Sequence, residues 1–192
     1  DIGSLRRFAL EITTIPHKAP FDLDGDGRTD LSIFRPNVGE WWVLRSSNGT
    51  NFATQFGNSS DRMAPGDYSG DGVSDIAFWR PSSGEWFVLR SEDYSFFAFP
   101  FGASGDIPVP GDYDGDTWTD AAIYRPSTNT WFISKSTGGV DIRGFGAAGD
   151  KPVPADYDGD GKTDVAIYRP SGSTGGGEWW GVNSRDNSSF VR

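Results

Sequence analysis

Four short apolar runs, each closing on Arg-Pro, punctuate the chain: LSIFRP at 31–36, IAFWRP at 76–81, AAIYRP at 121–126 and VAIYRP at 165–170. A second run follows each one across a Ser-, Gly- or Asn-rich link of hairpin length: EWWVLR (40–45), EWFVLR (85–90), TWFISK (130–135) and EWWGVN (178–183). The fourth link, SGSTGGG, is longer and looser. These runs are brief, rich in β-branched and aromatic residues, and bounded by Pro or Gly, so they predict strands rather than helices. In IAFWR both faces are apolar, as expected of a strand covered on both sides where sheets stack around an axis or along a solenoid. A weaker third run closes on Phe-Gly (NFATQF, FFAFPF, VDIRGF), and a Pro-rich approach (DIPVPGDY, DKPVPADY) offers a fourth strand.

Between these strand groups lies an acidic motif, Asp-x-(Asp/Ser)-Gly-Asp-x-x-x-Asp, starting at Asp22, Asp67, Asp112 and Asp156, with spacings of 45, 45 and 44 residues. The chain is therefore a single repeat domain, 1–192, read as an N-terminal strand segment (1–21) and repeats at 22–66, 67–111, 112–155 and 156–192. About 45 residues and four antiparallel strands per unit is the arithmetic of a β-propeller blade. The predicted fold class is all-β: a propeller-like array of four blades.

On the Phe-Gly pairs, on GDIPVPGDYDGD (105–116), on GDKPVPADYDGDGKTD (149–164) and on the Arg-Pro sequel, the sequence resembles the FG-GAP or VCBS-type repeats of integrin-like β-propellers and secreted bacterial proteins. The resemblance covers nearly the whole chain. It implies a nine-residue calcium loop, and a function among adhesion modules, sugar-binding propellers and domains appended to enzymes.

The loops carry the candidate chemistry. Carboxylates at positions 1, 3, 5 and 9, a Gly at 6 for the sharp turn and a carbonyl from 7 surround a hard cation with oxygen. Calcium fits best; magnesium demands stricter octahedral geometry, and zinc or copper would call for His or Cys. The chain has no Cys and one His, His17, to which no role is assigned. An EF-hand is excluded because its position 12 would be Ile33, Phe78, Ile123 and Ile167 in place of Glu, with strands on the flanks. The predicted ligand sets are Asp22, Asp24, Asp26, Arg28 and Asp30; Asp67, Ser69, Asp71, Val73 and Asp75; Asp112, Asp114, Asp116, Trp118 and Asp120; and Asp156, Asp158, Asp160, Lys162 and Asp164. Arg28, Val73, Trp118 and Lys162 would contribute main-chain carbonyls only. Ser69 removes a charge from the second loop, and Thr117 replaces the position-6 Gly of the third, so both should bind more weakly.

Charge agrees with this reading. The net charge is −10, with 15 carboxylates in the four loops; four calcium ions would leave about −2, and without them each loop crowds like charges. So acidic a chain lacks the positive field that holds phosphate backbones, which argues against a nucleic-acid partner. No apolar stretch approaches the roughly 18 residues of a membrane span, and the first thirty residues lack a signal pattern, so the chain reads as not membrane-inserted and as a mature or partial sequence. Sequons at Asn48, Asn58 and Asn187 are candidate glycosylation sites. Of the eight Trp, Trp41, Trp86, Trp131 and Trp179 recur in register and are expected to pack between blades, while Trp118 should be exposed. The repeated Arg35, Arg80, Arg125 and Arg169 are expected to make structural hydrogen bonds or to pair with a loop carboxylate.

The ends extend the pattern. Phe8 opens an additional third-strand equivalent (RFALEIT), and the last repeat reaches the same strand only at Phe190, two residues before its end. The N-terminal strand is thus expected to complete the last blade of its own chain or of a neighbour; the first closes a four-blade ring, the second grows a head-to-tail polymer, and two chains closing an eight-blade ring is a third arrangement. No nucleophile elbow, phosphate-cradling loop or His-based catalytic pair is present, so no enzyme is expected. The functional expectation is an extracellular or cell-surface, calcium-stabilised structural or adhesive module, a homo-oligomer or self-assembling fibre subunit, with cell-surface glycans or proteins as partners. The alternative is a lectin-like propeller.

Overall fold

The computed structural model describes residues 19–171 and 175–192, and these form strands and turns with no helix. The N-terminal strand and His17 lie outside the described residues. Four antiparallel sheets follow one another along the chain as four propeller blades. Blade I holds β1 (Leu31–Arg35), β2 (Glu40–Leu44) and β3 (Asn51–Gln55). Blade II holds β4 (Arg62–Met63), β5 (Ile76–Arg80), β6 (Glu85–Leu89) and β7 (Phe96–Pro100). Blade III holds β8 (Ile107–Pro108), β9 (Ala121–Arg125), β10 (Thr130–Ser134) and β11 (Val140–Gly144). Blade IV holds β12 (Lys151–Pro152), β13 (Val165–Arg169), β14 (Glu178–Val182) and β15 (Ser189–Val191).

The predicted runs and the observed strands coincide closely, because each run is β-branched and aromatic with a turn residue at either end. The Pro-rich approach is also a strand, but it pairs forward: β4, β8 and β12 hydrogen-bond to β5, β9 and β13 across the acidic loop. The second, third and fourth loops therefore each join two adjacent strands of one blade. These approach strands are two residues long and lie on a sheet edge, where Pro108 and Pro152 remove no ladder bond that a central strand would need. Blade IV is four-stranded, its outer edge supplied by the chain's own β15, which spans three residues where β3, β7 and β11 span five. The edge position that the N-terminal strand was expected to fill is thus already taken over those three residues.

Register sorts the side chains into two faces. Ile76 opposes Leu89 and Phe78 opposes Phe87 on one face of blade II; Ala77 opposes Val88 and Trp79 opposes Trp86 on the other. The second face packs on the first face of the next blade. Ala64, Trp79 and Trp86 bury against Ala121 and Ile123, and Tyr124, Trp131 and Ile133 bury against Val165 and Ile167. The core is thus a series of interfaces between blades. The expected packing role holds for Trp41, Trp86 and Trp131, which are buried and donate their indole N–H to the carbonyls of Phe56, Phe101 and Phe145. Trp179 departs from it: it sits on the outward face of blade IV and is 41% exposed.

Candidate functional site

Each acidic loop is held in shape by its own carboxylates. The position-1 Asp accepts from the backbone N–H groups of positions 4 and 6: Gly25 and Gly27 to Asp22, Gly70 and Gly72 to Asp67, Gly115 and Thr117 to Asp112, Gly159 and Gly161 to Asp156. The turn requires left-handed backbone at position 6, where φ is +82° at Gly27, +92° at Gly72 and +90° at Gly161. In the third loop Thr117 adopts the same conformation at +77°, at a steric cost that glycine does not incur.

The position-9 carboxylates are buried in all four loops. One oxygen accepts from the position-2 N–H (Leu23 to Asp30, Tyr68 to Asp75, Tyr113 to Asp120, Tyr157 to Asp164) at 2.8–2.9 Å. The other accepts from the N–H of Ser46, Ser91, Ser136 or Ser184 in the turn after the second central strand. The same serines donate their hydroxyls to the position-5 carboxylates of Asp26, Asp71, Asp116 and Asp160. These serines escaped the sequence analysis, although a Ser directly follows each second run (LRS, LRS, SKS, VNS) and marks the position.

Three loops gather three carboxylates to within 4.8 Å of one another: Asp22, Asp24 and Asp30; Asp112, Asp114 and Asp120; Asp156, Asp158 and Asp164. These clusters can hold a metal ion, since each offers a compact, all-oxygen, anionic donor set of the kind hard divalent cations take. Burial pushes the carboxyls of Asp112, Asp120 and Asp158 above the usual range, with neighbouring carboxylates adding to the shift. The position-5 residues Asp26, Asp71, Asp116 and Asp160 are not in these clusters and are occupied by their serines. The second loop, with Ser69 in place of a carboxylate, gathers no such triad among the described residues; Ser69 donates to Asp75 at 3.3 Å. There burial also raises the Asp75 carboxyl.

Successive loops are locked together. The position-8 N–H of each donates to the position-1 carbonyl of the loop before: Ser74 to Asp22, Thr119 to Asp67 and Thr163 to Asp112, at 2.6–2.7 Å. The position-7 side chains Val73, Trp118 and Lys162 lie over Gly25, Gly70 and Gly115 of the preceding loop; a Cβ at Gly70 would collide with the Trp118 ring, and one at Gly25 or Gly115 would press on Val73 or Lys162. Trp118 is exposed, as expected, with one ring edge resting on Gly70.

The repeated arginines do pair with carboxylates, but outside the loops. Arg80, Arg125 and Arg169 make two-point bonds to Asp61, Asp106 and Asp150 at 2.7–2.9 Å, and each Asp is buried. These aspartates stand six residues before each loop, a register signal the sequence carries. Arg35 has Pro16 at that offset; its carboxylate partner among the described residues is Glu40, at 3.8 Å, and its guanidinium lies 4.6 Å from the centre of the Trp42 ring. The sequons are all exposed; at Asn48 and Asn58 the Thr50 and Ser60 hydroxyls donate to the Asn Oδ1 at 2.7 Å.

Two family matches fall on these features. A model described as FG-GAP-like repeat matches residues 22–78, and one described as FG-GAP repeat matches residues 148–180. Comparison with curated proteins found no match. The matches lie at the two ends of the series, on the loop and strand pair that recur between them, so FG-GAP and FG-GAP-like repeats stand at both ends of a four-blade propeller series.

Proposed function

We propose that the chain is an extracellular or cell-surface structural and adhesive module whose blades are fastened by calcium. The observation that carries this reading is the recurrence of one three-carboxylate cluster at the same place in blades I, III and IV. In blades III and IV it lies between the approach strand and a central strand, where a bound cation would tie the approach strand, the loop and the serine turn together; in blade I it would tie the loop to the Ser46 turn. Metal would offset the repulsion among clustered carboxylates, and its binding energy would appear as folding energy. FG-GAP repeats are typical of extracellular and cell-surface proteins, and no described helix is long and apolar enough to cross a membrane.

The test is calcium titration by calorimetry, paired with melting curves in calcium and in chelator. Three sites and a melting temperature that rises with free calcium are expected, since a ligand of the folded state stabilises by RT ln(1 + [L]/Kd). A melting temperature indifferent to chelator would refute the proposal.

A further inference from the structure

The groove between consecutive blades changes sign along the series. In the joint of blades I and II it sets one cation, Arg45, against Asp24, Asp71 and Glu92, with Leu23 and Val73 beside them. In the joint of blades III and IV the repeat counterparts Tyr113, Asp114, Lys135 and Lys162 line a cavity of about 230 Å³. There Lys162 stands in place of Val73, and Arg143 joins the lining, so three cations face Asp114. Asp141 holds Arg143 at 2.7 Å, which leaves this cavity one net positive charge in a chain whose net charge is −10. In the joint of blades II and III the corresponding position-7 residue is Trp118, whose ring rests on Gly70.

The cations of the third joint are also less committed than their counterparts. Arg45 and Arg90 are engaged within their own blades: each covers an aromatic ring, Phe52 or Phe97, and donates to a hydroxyl, Thr50 or Ser95. At Lys135 both partners are gone. Cross-strand register puts Asp141 where Phe52 and Phe97 stand, and Gly139 accepts the backbone bond that Thr50 and Ser95 accept in the other blades. Asp141 is in turn taken by Arg143. Among the described residues neither the Lys135 nor the Lys162 ammonium makes an ion pair, and the Thr163 hydroxyl in the same lining makes no hydrogen bond. The Lys162 stem is fixed over Gly115, and Val165 and Val182 supply an apolar wall.

We propose that the joint of blades III and IV binds a compact hydroxycarboxylate, its carboxylate held by Lys135 and Lys162 and its hydroxyls by Thr163 and Asp114. One net positive charge matches one carboxylate, and a half-buried ammonium without a partner gains most from such a charge-assisted bond. Asp114 accepts from a ligand hydroxyl and repels an inorganic anion that brings acceptors alone. The cavity is smaller than the roughly 300–1,000 Å³ that drug-sized ligands occupy, so the ligand is a small hydroxy acid or a single sugar-acid ring. This rests on the binding-module reading above and adds to it the chemical class of a ligand.

The experiment is an NMR titration of the nitrogen-15-labelled full chain at fixed free calcium with glycerate, glucuronate, glucose, sulfate and an acetylated glutamate peptide. Glycerate or glucuronate should move the amide signals of Lys162, Thr163 and Ser184 saturably, and the tighter of the two identifies the source of the group as a free hydroxy acid or a sugar acid. Glucose and sulfate should leave those signals in place. Lys135→Met and Lys162→Met should each weaken binding about fivefold, and Lys162→Met keeps the stem over Gly115. Lys151→Met, an exposed cation outside the cavity, should change nothing. Melting curves check that each variant is folded. No saturable shift with either hydroxycarboxylate, equal binding of glucose or sulfate, or lysine variants that bind as wild type does would overturn the proposal. Tighter binding of the glutamate peptide would overturn it in favour of an acidic protein partner. The calcium response of the same samples' melting temperature is read separately, so loss of the ligand site with that response intact leaves the calcium reading standing, and the reverse result removes the calcium reading alone.

Discussion

Replacing Arg125 by Met separates a buried ion pair from an exposed one at the same place in the repeat. Arg125 holds the buried Asp106 by two bonds of 2.8 and 2.9 Å, and its guanidinium covers Phe132 at 4.5 Å from the ring centre. Without it Asp106 keeps one N–H donor to its carboxylate, from Ala103. Removing one partner of a fully buried pair costs about 3–5 kcal/mol. The Arg125 side chain is 31% exposed, so water already screens part of the attraction, and the expected loss falls to about 2–3 kcal/mol. Arg35→Met removes a side chain that is 53% exposed and whose partner lies 3.8 Å away, with an expected loss of about 0–0.5 kcal/mol. In a chain of this length that contrast corresponds to a fall of about 4–12 °C against one of at most about 2 °C. Melting curves in saturating calcium read both, and Asp106→Asn combined with Arg125→Met should recover part of the loss because the orphaned charge is gone. Equal effects at 35 and 125 would refute the claim that burial of the aspartate gives the pair its value.

Two further outcomes follow from particular residues. Thr117→Gly relieves a left-handed threonine and should raise stability by about 0.5–1 kcal/mol, the local strain outweighing the entropy that glycine loses on folding, whereas Gly161→Thr at the matching position should lower it by a similar amount; chemical denaturation distinguishes them, and a destabilised Thr117→Gly would refute the strain argument. The Arg169 guanidinium, by hydrogen bonding, holds the Asp150 carboxyl below the usual carboxylate range. A depressed carboxyl contributes stability that is fully present above its unfolded value of about 3.9 and is lost as pH falls through the folded value. The stability gap between wild type and Asp150→Asn should therefore stay level above about pH 5 and narrow below about pH 4; a gap that widens in acid would contradict the assignment.

The repeat was legible because each unit spells out its own local physics. Runs such as IAFWR and EWFVL state strand and turn within a few residues, so strand positions could be read without tertiary information. The loops were equally local: their Asp and Gly spacing describes a turn that closes on itself. What escaped detection joins distant positions or depends on context. Pro152 reads as part of an approach to a loop, and nothing nearby says that its strand pairs forward with β13. Asp106 lies nineteen residues from Arg125, beyond any window of periodicity, although the repeat register places an Asp at the same offset before three loops.

The position-5 aspartates illustrate a different limit. Spacing alone assigns Asp26 and Asp160 to a cation as firmly as Asp24 and Asp158, and it says nothing of Ser46 and Ser184, which donate to them from the neighbouring turn. The ends illustrate a third. Trp179 carries the same local message as Trp131, and Leu31 the same as Val165, because a repeat encodes both faces of its interface whether or not a neighbour is there. Burial of those faces belongs to the series rather than to the unit, so a unit-by-unit reading buries Trp179 and the structure exposes it.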